Sequence, residues 1–225
     1  MALNVIHEDN HTLVVSKNGG DIVQGDKTGD RTLIDDVKAY IKEKYNKPGE
    51  VFCGLVHRLD RPTSGAVLFA RTSKALSRLS VQFKERTVAK TYWAIVEKMP
   101  AQKEATLIHF LKKNEKQNKS YAHKNEVNGS KRAELSYKHI ASSDKYHLLE
   151  VSLKTGRHHQ IRVQLATIGC IIKGDLKYGA KRSNKDGSIS LHARNLAYNH
   201  PTTKERIDLT APCPKDSLWQ FFEGA

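Results

Sequence analysis

An α+β domain, with a mixed but mainly antiparallel β-sheet and flanking helices and loops, is the fold this sequence predicts. Three features carry that expectation. Many short apolar runs are joined by tight turns, a few stretches of helical spacing fall between them, and closing strands pair through short connections. No internal repeat, low-complexity linker or sharp boundary interrupts residues 1–225, so one domain is expected.

The elements follow in order. "NVIHEDNHTLVVSKNGG" reads as strand, turn, strand, with Asn10 in the turn and Gly19-Gly20 at the end. "RTLIDDVKAYIKEKYN" is a helix, because Leu33, Ile34, Val37 and Ile41 recur on one face. Pro48-Gly49 breaks the chain. "GAVLFAR" is nearly all apolar, as a strand buried on both faces should be. "SKALSRLSVQFKER" is a second helix, with Ser73 as its expected N-cap and Leu76, Leu79 and Phe83 as its stripe. "KTYWAIVEK" is a strand, apolar on both faces from Tyr92 to Val96. Residues 111–132 are polar and lysine-rich, a solvent-facing excursion with the shape of a hairpin that either touches phosphates or is merely solvated. "YHLLEVSLKTG" alternates, with Leu149, Val151 and Leu153 on the apolar face. "HHQIRVQLATIG" is a helix that Gly169 ends. "SISLHARNLAYNHPTTKERIDLTAP" is a strand, a turn at "NHPTT" and a strand, and "SLWQFF" is a short closing helix.

Charge narrows the function. The 225 residues carry 38 Lys plus Arg against 24 acids, a formal net charge of +14. A chain so basic most often meets a polyanion, and RNA or DNA is the common one; a basic surface kept for solubility is the alternative. No basic amphipathic helix with bulky aromatics favours a lipid surface, and the apolar runs are too short to span a bilayer, so no membrane partner is expected. The opening "MALNVIHEDN" has neither a basic n-region nor a long apolar stretch. Three widely spaced cysteines argue against a disulfide framework, and a reducing cytoplasm is the expected compartment.

Several chemistries lack their motifs. GxxxxGK[ST], GxGxxG and GxSxG are absent, and Thr63-Ser64-Gly65 after Pro62 is ordinary turn chemistry. Eleven histidines, His57, His158, His159, His192 and His200 among them, show no HExxH or paired-Cys spacing, so no metal is expected. Asp60 stands out in "GLVHRLDRPTSG", between Arg58 and Arg61 and ahead of the apolar strand. A carboxylate held ionised and rigid is a competent nucleophile. A guanidinium favours the charged form and fixes the carboxylate plane. The alternative is a structural ion pair at a strand end. Loops braced by a scaffold often bear reactive groups, which favours the first reading. Arg157 and Arg162 lie at a second junction, "KTGRHHQIRVQLATIG", where a helix start suits an anion. Arg162 is the natural partner for Asp60 if the fold joins the two segments.

The stretch "HRLDRPTSG" resembles the signature of the RluA family of RNA pseudouridine synthases. "VIHEDNHTLVVSKNGG", "KTYWAIV", "TGRHHQIRVQLATIGCIIKGDLKYG" and "LHARNLAYNHP" resemble the family's other motifs, in family order from about residue 4 to residue 211. The resemblance implies a pseudouridine-synthase-like catalytic domain, needing no metal or organic cofactor, that isomerises uridines of rRNA or tRNA; the sequence does not show the oligomeric state, and a monomer is the default expectation. Asp60 would open the glycosidic bond, attacking the sugar or the base ring or first assisting deprotonation. Tyr92 would stack on the uracil. Arg162 would pair with Asp60, with Ile161 packing the floor. Arg58 would help displace the base, and His57, Arg61 and Arg157 would contact RNA or support the site. The S4-type domain common in relatives is not expected here. Asn18, Gln164, Cys170 and Ile171 depart from the family pattern, at positions that bear on substrate choice more than on chemistry. The competing readings are a silent RNA-binding module on the same fold and a hydrolase that releases the base.

Overall fold

The computed structural model describes residues 3–25 and 29–224. Met1 and Ala2, on which the expectation of no leader partly rests, lie outside the described residues. In chain order the elements are β1 (Val5–Glu8), β2 (Thr12–Lys17), α1 (Leu33–Lys44), β3 (Gly54–Leu55), β4 (Ser64–Ala70), α2 (Ser73–Glu85), β5 (Ala89–Val96), β6 (Glu104–Asn114), β7 (Lys119–His123), β8 (Lys131–Ser142), β9 (His147–Leu153), α3 (Gln160–Thr167), β10 (Leu191–Asn199), β11 (Arg206–Thr210) and α4 (Ser217–Glu223). A 3₁₀ turn at Leu176–Tyr178 precedes β10. This is the α+β class expected, and the chain divides into two compact units.

The first unit holds residues 1–89 and 193–212. Its strands run β1-β2-β4-β10, with β11 paired to β10 and β3 to β4. The apolar run 64–70 forms β4, and all seven of its residues are buried. β2 pairs antiparallel with β4, from Thr12 opposite Ala70 to Lys17 opposite Gly65. Gly65 is required where it stands. Its φ is +115°, and a Cβ there would lie 2.4 Å from the Ala193 carbonyl oxygen of β10. Val14, Ala66, Leu68, Leu79, Leu196 and Tyr198 form one core between α2 and the sheet. α1 starts with a capping box: Thr32 accepts from Asp35 N–H, and the Asp35 carboxylate accepts from Thr32 N–H. The cap of α2 is Thr72 rather than Ser73. The Thr72 side chain accepts from Ala75 N–H at 3.1 Å, which makes Ser73 the first helical residue.

The second unit holds residues 90–192 and 213–225. Its strands run β5-β9-β8-β6-β7, and all four of these pairings are antiparallel. Here the sheet is larger than the sequence suggested. The lysine-rich excursion is built from long strands: β6 and β7 form a hairpin over Asn114–Lys119, and β8 returns beside β6 along eight registered pairs. Ala133, Leu135 and Tyr137 of β8 are buried, so one face of this ribbon belongs to the core while Arg132, Glu134, Ser136 and Lys138 lie on the other. α3 packs on this sheet. Its Gln164 is fully buried and donates to Leu107 O of β6 at 3.1 Å. Ile95, Leu148, Cys213, Trp219 and Phe222 form a separate cluster under α4.

Candidate active site

Asp60 sits half-buried in the loop between β3 and β4, and the backbone around it is fixed on both sides. Its own carbonyl accepts from Thr63 N–H at 3.0 Å. The carbonyl of Arg61 accepts twice, from Gly20 N–H at 2.8 Å and from Lys17 Nζ at 3.0 Å. Arg61 Nε returns a bond to Gly20 O at 3.1 Å, and its guanidinium reaches Asp30 at 3.2 Å. The loop is thus laced to the turn that ends β2, across more than forty residues of sequence. Buried Leu59 anchors it from below.

Lys17 is the unforeseen member of this cluster. It is 1% exposed, and burial pushes its ammonium down to about 8, against the pull of the Asp21 and Asp60 carboxylates. The signal was available in the sequence. Strand alternation puts Lys17 on the face of Leu13 and Val15, where an apolar residue is the rule.

The other residues expected near Asp60 take different positions. Arg58 is exposed, as a contact to RNA requires. His57 turns toward the sheet: its Nε2 accepts from Leu68 N–H at 3.1 Å, and its ring stacks on Phe83 with centroids 5.0 Å apart. That bond places an imidazole acceptor, not a donor, at Nε2.

In the second unit, Tyr92 lies on β5 opposite Val151 of β9 and is 8% exposed. Arg162 lies in the first turn of α3, and Ile161 beside it is buried. The Arg162 guanidinium grips Asp175 through two parallel bonds, Nε to Oδ2 at 2.7 Å and Nη2 to Oδ1 at 2.8 Å. Both side chains are buried, at 5% and 1% exposure. The ring of Tyr178 lies against this pair, with its centroid 5.2 Å from Arg162 Cζ.

Tyr178 then carries the contact outward to the lysine-rich hairpin. Its hydroxyl accepts from Ser120 N–H at 2.9 Å and lies 3.0 Å from His159 Nδ1. Lys119 Nζ sits 5.1 Å from the same ring. His159 takes the left-handed conformation, φ +53°, at the N-cap of α3. Burial, with the Arg162 charge added to it, pushes this histidine down to about 2, so its ring is neutral. Arg157 precedes the helix. Its N–H donates to Gln160 Oε1 and its Nε to Arg132 O, which fixes the strand-to-helix corner. Asp175, Tyr178 and Ser120 were missed from sequence. The stretch "GDLKYG" appeared only as the end of one family-like motif, with no role given to its acid or its aromatic.

Among the described residues no set of three His, Cys, Asp or Glu side chains is placed to hold a metal ion. Among the described residues Cys53, Cys170 and Cys213 form no disulfide. No helix among the described residues is long and apolar enough to cross a membrane.

Comparison with known proteins gives these clusters a context. Residues 11–167 match the family model described as RNA pseudouridylate synthase. The chain is 32% identical over 219 residues to the uncharacterized RNA pseudouridine synthase YlyB of Bacillus subtilis, covering 96% of this chain and 71% of that one. It is 31% identical over 229 residues to the ribosomal large subunit pseudouridine synthase D of Zymomonas mobilis, covering 97% and 72%. The structure of human RNA pseudouridylate synthase domain containing 4 superposes with a TM-score of 0.79 over 94% of this chain and 89% of that one, at 23% identity, and so shares the fold. With the family's span running from β2 through α3, and relatives aligned along nearly the whole chain, this protein belongs to the RluA-type RNA pseudouridine synthases, isomerases that convert uridine to pseudouridine in RNA.

Proposed function

We propose that the protein modifies specific uridines of ribosomal or transfer RNA with Asp60 as the nucleophile. What supports this reading is half-buried Asp60, on a loop whose backbone is pinned at Asp60 and Arg61, inside the stretch that the family model matches. In the reaction the C1′–N1 bond breaks, the uracil turns, a C1′–C5 bond forms, the C5 proton leaves to solvent and N1 takes up a proton. Redox state does not change, so no redox cofactor is called for. Asp60 detaches the uracil, Tyr92 stacks on it, and Arg162 supplies the countercharge for Asp60. Arg58 helps displace the base, at a cost of a few kcal/mol that stacking at ~1–3 kcal/mol per base partly offsets. Ile161 packs the floor, and His57, Arg61 and Arg157 hold RNA or the loops that meet it. The protein acts as a single catalytic domain and a monomer in the cytoplasm. The ribosomal name of the Zymomonas relative favours ribosomal RNA as the first substrate to try.

Tritium release from RNA labelled with [5-³H]uridine tests the chemistry. An isomerase frees tritium and keeps its bases, a silent RNA-binding module frees none, and a hydrolase leaves abasic sites. Asp60→Asn is expected to lower release by on the order of a thousandfold or more. RNA affinity should stay within about threefold, because the phosphate grip is spread over many cations. Substantial turnover by Asp60→Asn would overturn the nucleophile assignment. Pseudouridine mapping of ribosomal and transfer RNA with and without the gene identifies the target.

A further inference from the structure

Lys17 is a buried cation that donates to two main-chain carbonyls, Asn18 O at 2.7 Å and Arg61 O at 3.0 Å. Such a placement is costly for an ammonium, and an apolar side chain would serve β2 better, since Leu13, Val14 and Val15 before it are all fully buried. A cost retained in a core points to a use. The charged groups within reach are Asp21, Asp60 and Arg61, while β4 sets only uncharged Gly65 across the pair of strands. One of the two carbonyls belongs to the residue that follows Asp60, and that same carbonyl also holds Gly20 N–H.

We infer that Lys17 is a positioning residue for the reaction, whose ammonium fixes the Arg61–Pro62 peptide just after Asp60 and adds a positive charge within reach of the Asp60 carboxylate. This rests on the proposed role of Asp60 as nucleophile. Two effects follow from one group. The bond to Arg61 O limits the directions in which the Asp60 side chain leaves the loop, and the ammonium adds a countercharge within reach of the carboxylate that attacks. Both weaken when the amine loses its proton, because the remaining N–H groups are poorer donors and the countercharge is gone. With burial holding Lys17 near 8, that loss begins within the ordinary working range of an RNA enzyme.

The test compares wild type, Lys17→Met, Lys17→Arg and Asp60→Asn, using tritium release from pooled unmodified ribosomal and transfer RNA transcripts labelled with [5-³H]uridine. The wild-type kcat is expected to fall above about pH 8. Lys17→Met should lower kcat tenfold or more at neutral pH with KM within about twofold, while keeping the wild-type melting temperature or exceeding it. Lys17→Arg, which stays charged, should retain activity and move the alkaline fall upward by at least one pH unit. If Lys17→Met does not fold, the pH profile of Lys17→Arg decides alone. An unchanged kcat and pH profile in both Lys17 variants, with Asp60→Asn inactive, overturns the role of Lys17 and leaves the nucleophile intact. Activity in Asp60→Asn instead overturns the reading beneath it.

Discussion

Arg162 and Asp175 show what a buried ion pair asks of its neighbours. Each charge has left water, and two parallel bonds with short lengths offset that loss. Removing Asp175 takes both of these bonds from a buried guanidinium. Asp175→Ala is therefore expected to cost about 3–5 kcal/mol of unfolding free energy, measured by urea denaturation, far more than an exposed pair would. His159 gives a pH dependence of definite sign. Its folded value lies far below the ordinary ~6.5, so across that interval the unfolded chain binds a proton that the folded chain refuses. Stability contributed by the neutral ring is complete above about pH 6.5 and declines as pH falls. Asn tolerates the left-handed backbone. His159→Asn should thus shrink the loss of urea midpoint between about pH 7 and about pH 5, since the other histidines titrate alike in both proteins.

At the scale of elements, legibility followed the local pattern. β4 was readable because seven consecutive buried residues leave a continuous apolar run. α1 was readable because Leu33, Val37 and Ile41 share a face. The ribbon β6–β8 was not, although Ala133, Leu135 and Tyr137 alternate, because Ile108 and Phe110 of β6 fall on the opposite face and blur the period. Partners distant in sequence were also illegible: nothing local says that Arg162 takes Asp175, or that Lys17 caps the loop after Asp60. The hairpin carries its own prediction. Lys112, Lys116 and Lys124 are exposed on β6, in the turn and beyond β7. Replacing all three by Ala should weaken RNA binding without altering the chemical step. If each meets a phosphate, the slope of log affinity against log salt should drop by about 2–3. An unchanged slope would mark the hairpin as a solvated edge.

At the scale of the whole molecule, a net charge of +14 supplies a long-range attraction for RNA that salt screens, while the reacting groups supply the selectivity. The partition of the chain sets a further expectation. The Asp60 unit takes residues 193–212 as well as 1–89, and β10 lies directly beside β4, with Ala193 filling the space above Gly65. A fragment ending at residue 89 therefore leaves one long side of β4 unpaired. Its far-ultraviolet circular dichroism and urea response should be those of an unfolded or aggregating chain, whereas adding a peptide of residues 193–212 should restore a cooperative transition.

The late return of β10 also has a meaning in time. During synthesis the ribosome releases the amino-terminal strands first, and the segment that closes their sheet emerges more than a hundred residues afterwards. Until then the nascent chain holds an open edge and an unfinished aspartate loop. A chain built this way completes the sheet beside the Asp60 loop only after residues 193–212 have emerged, and until then that edge stays open to mispairing.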